Sequence, residues 1–221
     1  MNIMESTMTK PISRAKFLRL GALSAAMLIV SSKVWAQEEE ITREIVYNDP
    51  DAPIAGNPKG DLTIVDFFDY NCPYCKAAAK SLEKVVKSDG NIRLVYRDWP
   101  VLTDTSIIGA RLALGAKYQD KHLPAHHALM NIPGYGIAQD KMVAAVRGSG
   151  VDMTKLNQDM AARASDIEKL VKRNLAIADM IGLRGTPGFL IGPFKVNQAL
   201  SEAGFKQAIT DARTRQKVTP G

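Results

Sequence analysis

A buried strand that leads directly into a helix opening on two cysteines is the feature that most constrains how this sequence can fold. LTIVDFF (62–68) is an almost continuous run of apolar, β-branched and aromatic residues, which is typical of a strand buried on both faces of a sheet. From Cys72 to Lys87 the apolar residues recur at helical spacing, and Gly90 ends the segment. NIRLVYRDW then predicts a second strand. The opening unit is therefore β-α-β, with a right-handed crossover between parallel strands.

The rest of the chain changes first to helix and then back to strand. From 103 to about 182 the pattern is helical throughout, and its last part predicts one long helix that Asp152 can cap. FLIG and FKVN, joined at Gly192, predict two strands, and a helix at 201–213 follows them. Ahead of the core, EIVY (44–47) predicts a short strand. The predicted order is β-α-β, a helical block, then β-β-α.

Cys72 and Cys75 are the two cysteines of the chain, and three roles compete for them. A zinc site needs four ligands. Pro124 is predicted to interrupt the helical spacing between the first available histidine and the other two, so we predict ordinary packing or surface roles for these histidines. They are His122, His126 and His127. Copper(I) binding by two thiolates stays an alternative. A permanent disulfide across so short a loop would constrain the unfolded chain little.

The position of the pair favours a redox role. Cys72 falls at or near the N-cap of the predicted helix, with Pro73 at its first position, where the missing N–H costs nothing. Free backbone N–H groups and the helix dipole favour a thiolate on Cys72. Cys75 lies one turn further on, close enough to attack a mixed disulfide. A C-x-x-C motif that follows a buried strand in a β-α-β unit is strong evidence for a redox pair.

The stretch FFDYNCPYCK resembles the active-site region of the DsbA-type exported thiol-disulfide oxidoreductases, over roughly residues 44–215 of the chain. The resemblance implies an α/β, thioredoxin-like fold with an all-helical domain inserted between its two halves. The predicted thioredoxin-like domain comprises 37–102 and 183–221, and the inserted helical domain comprises 103–182. Residues 1–36 are predicted separately, as a secretory signal peptide, from the order of their residue types. The dipeptide Pro73-Tyr74 departs from the Pro-His of the most strongly oxidising members. It resembles the pair of glutaredoxins and of DsbA-like proteins linked to copper stress.

A second element of the resemblance is RGTPGFLIG, in which Pro187 matches the family's cis-proline that faces the disulfide. Thr186 precedes it, at the position whose backbone pairs with a bound peptide in that family. The resemblance therefore implies that Thr186 and Pro187 bind substrate.

Asp66 is a third candidate. Strand alternation predicts that it points into the core, and it lies six residues before Cys72, like the buried acid of the resembled family. Because burial raises a carboxyl pKa, Asp66 is predicted to exchange a proton with Cys75. The alternatives are a hydrogen bond to nearby backbone, or Lys59 or Arg97 as a partner.

The N-terminal segment explains most of the net charge of +6, because residues 1–36 hold five basic residues and one acid. No concentrated basic stripe is left, so we predict no nucleic-acid binding. The segment runs from basic residues through LGALSAAMLIV to Ala36, which is the order of a secretory signal cut before Gln37. An uncleaved membrane anchor is the alternative, although the run is short for a bilayer. Export would place the cysteines in the oxidising periplasm.

These observations predict a periplasmic enzyme that introduces disulfides into unfolded or newly exported proteins. No metal and no organic cofactor are expected, because the disulfide of Cys72 and Cys75 is itself the redox centre. The resemblance implies reoxidation by a membrane partner of the DsbB type. A monomer is expected, since the residues between Gln37 and the core hold too many prolines and glycines for a long coiled coil. The alternatives are a disulfide isomerase or reductase of the same fold, or a copper(I)-binding thiol protein.

Overall fold

The computed structural model of the chain describes residues 41–218, and the predicted signal peptide at 1–36 lies outside them. The strands of this part are β1 (Ile54–Gly56), β2 (Leu62–Phe68), β3 (Ile92–Asp98), β4 (Gly188–Ile191) and β5 (Phe194–Val196). Its helices are α1 (Arg43–Asn48), α2 (Pro73–Asp89), α3 (Ser106–Ala116), α4 (His122–Met130), α5 (Gln139–Gly148), α6 (Met153–Ala162), α7 (Ala164–Met180) and α8 (Glu202–Val218). None of the helices within 41–218 is long and apolar enough to cross a membrane.

The strands form one mixed sheet in the order β1-β3-β2-β4-β5. β2 and β3 are parallel and are joined through α2, whereas the other neighbouring strands are antiparallel. β4, β5 and α8 follow in the chain after the helices α3 to α7. The α/β fold predicted from the sequence, with its β-α-β and β-β-α units, is therefore confirmed.

The central strand β2 is buried on both faces, as its continuous apolar run predicts. Ile64 and Phe68 pack in a core that includes residues of α2, α4 and α8. Val65 and Phe67 point the other way, into a core shared with α1 and α7. Because helices cover both faces of the sheet, the side chains on both sides of β2 are buried, except for the half-buried Thr63.

The segment EIVY is helical, so the predicted strand at 44–47 is wrong. Thr42 caps α1, and its hydroxyl oxygen accepts a hydrogen bond from the backbone N–H of Ile45 at 3.2 Å. The short helix buries Val46 in the core on this side of the sheet. β-branched residues suit a strand by composition, but here the cap and the packing of Val46 decide for helix.

The long helix predicted after Asp152 is two helices. Asp152 does cap the first, since its side chain accepts hydrogen bonds from the N–H groups of Thr154 and Lys155. Arg163 then leaves the helical region, with φ −111° and ψ 18°, and separates α6 from α7. One non-helical residue barely shifts the apolar pattern, so the break is hard to find by periodicity.

A buried ionic network fastens α1 and α7 to β3. Arg97 donates to Asp49 at 2.7 Å and to the side-chain oxygen of Asn174 at 2.9 Å. Arg173 donates to the same Asp49 carboxylate from Nε and Nη2, at 2.8 and 2.9 Å. The side chains of Asp49 and Arg97 are completely buried. The network thus neutralises charges that would be costly to bury alone.

Arg97 is therefore not the partner of Asp66, and that alternative is wrong. In the parallel pairing of β2 and β3, Asp66 lies beside Tyr96, whereas Arg97 lies beside Phe67. Successive side chains of a strand point to opposite faces. Arg97 consequently reaches the face covered by α1 and α7, away from Asp66.

Candidate active site

The helix α2 begins on Cys72, as the sequence predicts. Cys72 is the N-cap, with extended backbone, and its Sγ accepts a hydrogen bond from the N–H of Cys75 at 3.3 Å. Pro73 occupies the first turn, where its lack of an N–H leaves no bond unmade. Cys72 and Cys75 are free thiols, and each is only 2% exposed. Tyr74 between them is 70% exposed.

The two thiols have opposite acidities. The hydrogen bond from the Cys75 thiol lowers the pKa of Cys72 to about 6, with further help from Thr186 and from backbone N–H groups, although burial opposes the shift. Burial raises the pKa of Cys75, and the charge on Cys72 raises it further. At neutral pH the pair is therefore one thiolate, on Cys72, and one protonated thiol, on Cys75.

This asymmetry is visible in a pH titration of the reduced protein. We expect the ultraviolet absorbance of a single thiolate to appear with a midpoint near pH 6, because only Cys72 is stabilised as an anion. Cys72→Ser serves as the control and should remove the step. A midpoint near the ordinary thiol value of 9.0, or two thiolates that ionise together, would contradict the assignment.

The backbone of Thr186, the residue before Pro187, lies against Cys72, although Thr186 and Cys72 are 114 residues apart in the chain. The peptide bond between Thr186 and Pro187 is cis. The Cys72 Sγ lies 3.4 Å from the carbonyl oxygen of Thr186, to which the thiol donates when it is protonated. Gly188, next in the chain, begins β4 beside β2. The antiparallel pairing of these strands thus brings the predicted substrate-binding residues to the cysteines.

Asp66 is buried under the cysteines, and it has a second buried carboxyl as a neighbour. Its Oδ1 has no hydrogen-bond partner among residues 41–218. Burial raises its pKa well above the usual value, and the charges of Asp98 and Cys72 raise it further. Burial likewise raises the pKa of Asp98 to about 8. Both carboxyls therefore favour the protonated form at neutral pH.

Asp98 is a site residue that sequence reasoning missed. It ends β3, where an aspartate is ordinarily assumed to face water. The register pairs Asp98 with Phe68 and Tyr96 with Asp66, which places both acids on the same face of the sheet. Only the pairing of the two strands reveals this neighbourhood, since the two acids are far apart in sequence.

Asp69 shapes the loop between β3 and α3 (99–105). Its Oδ2 accepts from the N–H groups of Val101 and Leu102, at 2.9 and 3.0 Å, and its Oδ1 accepts from Asn71 at 2.8 Å. The sequence indicates a solvated or capping residue here. Asp69 is neither solvated nor the helix cap, because it is buried and Cys72 is the N-cap of α2. The carboxylate holds the β3–α3 loop beside the start of α2.

The loop between α4 and α5 (131–138) is attached to the same place. The side-chain oxygen of Asn71 accepts from the N–H of Ile137 at 2.7 Å. The ammonium group of Lys76 donates to the carbonyl oxygen of Gly134 at 2.8 Å. Both loops therefore border the cysteine pair.

Large apolar side chains are exposed on these loops and on the active-site dipeptide. They are Tyr74, Val101, Leu102 and Tyr135. The Tyr135 hydroxyl donates to the carbonyl oxygen of Leu102 at 3.2 Å, which links the two loops. Exposed apolar groups gathered in one region mark an interaction surface.

The histidines pack in or beside the core. His122 and His126 are buried, and His126 Nδ1 lies 3.1 Å from the hydroxyl of Tyr70. Burial lowers the pKa of both, so they are neutral. His127 lies half-buried, 3.1 Å from Glu83. Within 41–218 there is no cluster of histidine, cysteine and acidic residues that could hold a metal ion.

Pro124 does not interrupt the spacing of these histidines, contrary to the prediction. α4 runs from His122 through Pro124 to Met130. Proline is tolerated in the first turn of a helix, because the N–H groups there have no partner within the helix. His122 and His126 are consequently one turn apart, and their rings stack at 5.9 Å.

The chain is similar in structure to several solved proteins. It shares 37% identity and a TM-score of 0.73 with a thioredoxin-like oxidoreductase from Silicibacter pomeroyi, covering 79% of this chain and 99% of the other. With the thiol-disulfide exchange protein α-DsbA2 from Wolbachia pipientis it shares 25% identity, TM-score 0.71, over 76% and 90% of the chains. With a periplasmic thioredoxin-like protein from Salmonella enterica serovar Typhimurium it shares 26% identity, TM-score 0.66, over 77% and 95%.

Curated relatives match over only part of their length. The Na⁺/H⁺ antiporter NhaA 1 of Salinispora arenicola is 25% identical over 176 residues, which cover 78% of this chain and 26% of the relative. The chain spans about a quarter of the length of the curated relatives it matches.

The family model described as thioredoxin matches residues 48–211, which include the cysteine pair, the cis-proline and most of the described helices. This match agrees with the sheet order, with the position of Cys72 on α2 and with the structural similarity to thiol-disulfide oxidoreductases. The chain therefore belongs to the thioredoxin family, as a thioredoxin-fold protein of the DsbA type.

Proposed function

We propose that this protein is a periplasmic oxidase that donates the Cys72–Cys75 disulfide to unfolded or newly exported proteins. One observation carries the proposal: Cys72 is the N-cap of α2 and its Sγ accepts a hydrogen bond from the N–H of Cys75, in a setting that lowers its pKa to about 6. A stabilised thiolate stabilises the reduced form of the pair, so the disulfide becomes a better oxidant. The similarity to a periplasmic thioredoxin-like protein supports the location.

The reaction consists of two exchanges. A substrate thiolate attacks the sulfur of Cys72, the Cys72–Cys75 bond breaks, and Cys75 leaves with the electron pair. A second substrate thiolate then attacks the substrate sulfur of this mixed disulfide, and Cys72 leaves as a stabilised thiolate. The substrate gains one disulfide and loses two electrons, which the cysteine pair takes up. Cys72 is the better leaving group because its pKa is low.

The departing Cys75 needs a proton, because its buried thiolate is unfavourable. Asp66 is buried, carries a proton at neutral pH and couples electrostatically to both cysteines. It is therefore the proposed donor to Cys75 in the oxidising direction and the acceptor in reverse. Thr186 and Pro187 would align an extended peptide beside Cys72, and the exposed apolar side chains of the two loops suit an unfolded chain.

Asp66→Asn isolates the proton transfer. At a pH above the raised pKa of Asp66, where its carboxylate is ionised, attack by Cys75 on a glutathione mixed disulfide at Cys72 should slow by about a hundredfold or more, since asparagine cannot accept the Cys75 proton. Release of glutathione in a single turnover measures this step. Formation of the adduct on Cys72 should be unchanged, and Asp140→Asn, on the exposed face of α5, should change neither step. Equal release rates in Asp66→Asn and in the unsubstituted protein would exclude the role.

Reoxidation requires a disulfide-bearing partner, for which we propose a membrane protein of the DsbB type. Cys72 would attack the partner's disulfide, and Cys75 would resolve the resulting mixed disulfide. We propose that the protein acts as a monomer, without a metal or an organic cofactor.

The reduction potential of the pair tests the direction of the reaction. Equilibration with glutathione buffers should give about −120 to −180 mV, the range of disulfide donors. A value near about −270 mV, as in thioredoxin, would instead make the protein a reductase with the same residues working in reverse.

A further inference from the structure

Lys76 is a buried lysine next to the cysteine pair, and the reaction described above makes no use of it. It follows Cys75 in the first turns of α2 and is only 7% exposed. Lysine is almost never buried to this extent unless its charge is compensated. Its ammonium group donates to the carbonyl oxygen of Gly134 at 2.8 Å. A neutral carbonyl does not balance a full charge, so the compensation must come from elsewhere.

Negative charge around Lys76 supplies that compensation. Burial lowers the pKa of Lys76, while the charges of Cys72, Asp69 and Cys75 act in the opposite direction. Asp69 is the carboxyl group among them, and it accepts hydrogen bonds from three backbone N–H groups. The acids that face the cysteines from β2 and β3, Asp66 and Asp98, favour their neutral forms. Lys76 lies one helical turn after Cys72, whose carbonyl oxygen accepts a hydrogen bond from the Lys76 N–H at 3.1 Å. Because helical side chains lean toward the N-terminus of their helix, this places Lys76 on the turn that Cys72 begins. The thiolate of Cys72 is thus the redox-dependent part of the negative charge near Lys76.

The hydrogen-bond partner of Lys76 lies in the middle of the α4–α5 loop (131–138). Gly134 has φ +93°, a conformation that favours glycine. The loop carries Tyr135, which is 59% exposed and bonded to Leu102 of the neighbouring loop. Lys76 and Asn71 are the two side chains near the cysteines that hold this loop within the described residues.

We propose that Lys76 is a positioning residue that couples the redox state of Cys72 to the α4–α5 loop. The inference rests on the proposed thiol-disulfide exchange and adds a regulation of the same site. In the reduced protein the Cys72 thiolate attracts the ammonium group of Lys76, and this group donates a hydrogen bond to the carbonyl oxygen of Gly134. In the oxidised protein the negative charge of Cys72 is absent, so the hydrogen bond from Lys76 to Gly134 weakens. Tyr135 can then change position when a polypeptide binds.

The oxidation step balances with glutathione disulfide as the oxidant. The Cys72 thiolate attacks one of its sulfurs and releases one glutathione; Cys75 then attacks Cys72, loses its proton and releases the second. One sulfur–sulfur bond forms in the protein and one is lost in glutathione, with two electrons transferred. The protein loses the Cys72 negative charge in this exchange.

The test compares Lys76→Met with Lys80→Met, which removes an exposed lysine one turn further along α2. In Lys76→Met the Cys72 midpoint should rise by about 0.5 to 1 pH unit, the scale of one neighbouring charge, and the equilibrium constant for reducing the pair should fall about three- to tenfold. Lys80→Met should match the unsubstituted protein. Lys76→Arg, which keeps the charge, should restore the midpoint.

Amide hydrogen exchange of residues 131–138 gives the second readout. The unsubstituted protein should exchange faster in the disulfide form than in the reduced form, and Lys76→Met should exchange fast in both. Equal exchange in the two redox forms of the unsubstituted protein overturns the proposal, and this comparison needs no variant to fold. An unchanged Cys72 midpoint in Lys76→Met also overturns it. A reduction potential as low as that of thioredoxin would reject the oxidase function but not this role of Lys76. The difference in the Cys72 midpoint between Lys76→Met and Lys80→Met would remain.

Discussion

Replacing Cys75 with alanine is expected to abolish turnover and leave a stable mixed disulfide on Cys72. Cys72 keeps its place at the N-cap of α2 and its contact with Thr186, so it can still attack a disulfide. No second thiol is then present to release the adduct, since Cys75 is the other cysteine of the chain. The variant should therefore accumulate one glutathione per protein after treatment with glutathione disulfide, as measured by mass spectrometry without reductant.

The same variant should make Cys72 a weaker acid. The hydrogen bond from the Cys75 thiol is the largest cause of the low pKa of Cys72, and alanine removes it. The adduct should consequently form more slowly below neutral pH than in the unsubstituted protein. Cys72→Ala is the matched control and should form no adduct, because the raised pKa of Cys75 keeps it a protonated thiol. An adduct on Cys75 in that control would reverse the assigned roles.

Asp49→Asn is expected to destabilise the fold more than any surface substitution. Asp49 accepts hydrogen bonds from the guanidinium groups of Arg97 and Arg173, and the side chains of Asp49 and Arg97 are completely buried. Removing one member of a buried ionic network leaves uncompensated charge in the core, which costs about 3–5 kcal/mol in the free energy of unfolding. Urea denaturation measures the loss. Lys155→Met, which breaks an exposed pair with Asp159, should cost about 0.3–0.5 kcal/mol.

The effect of Asp49→Asn should shrink in acid. Burial alone would raise the pKa of Asp49, but hydrogen bonds from Arg97 and from the Asp51 N–H, with the charges of Arg97 and Arg173, bring it below its usual value. A carboxylate of this kind contributes stability that is fully present above its unfolded pKa and is lost as pH falls through the folded value. The two proteins should therefore converge in stability at low pH. A difference that stays constant would show that Asp49 acts through packing rather than charge.

Local features of the sequence were sufficient to predict the catalytic pair and the elements around it. The apolar run of β2 and the helical spacing of α2 lie next to each other in the chain, so the cysteines had to fall at their junction. Pro73 at the first helical turn and Gly90 at the end of α2, with φ +72°, are local signals with local causes. The burial of Asp66 follows from strand alternation alone.

Short segments were predicted less well, because their local preferences are weak. EIVY has the composition of a strand, yet one cap at Thr42 and the packing of Val46 make it helical. The break between α6 and α7 is one residue long, at Arg163, and it leaves the apolar periodicity nearly intact. Pro124 is compatible with a helix only because it falls in the first turn.

The tertiary structure alone decided the electrostatics of the site. Asp98 becomes a neighbour of Asp66 only through the register of β2 and β3, and Arg97 finds Asp49 rather than Asp66 because it points to the other face. Lys76 reaches Gly134 across 58 residues of sequence. Composition and periodicity indicate which apolar residues leave water, because their burial follows from local pattern. They do not record which charges meet, because that depends on strand pairing and loop closure between residues far apart in the chain.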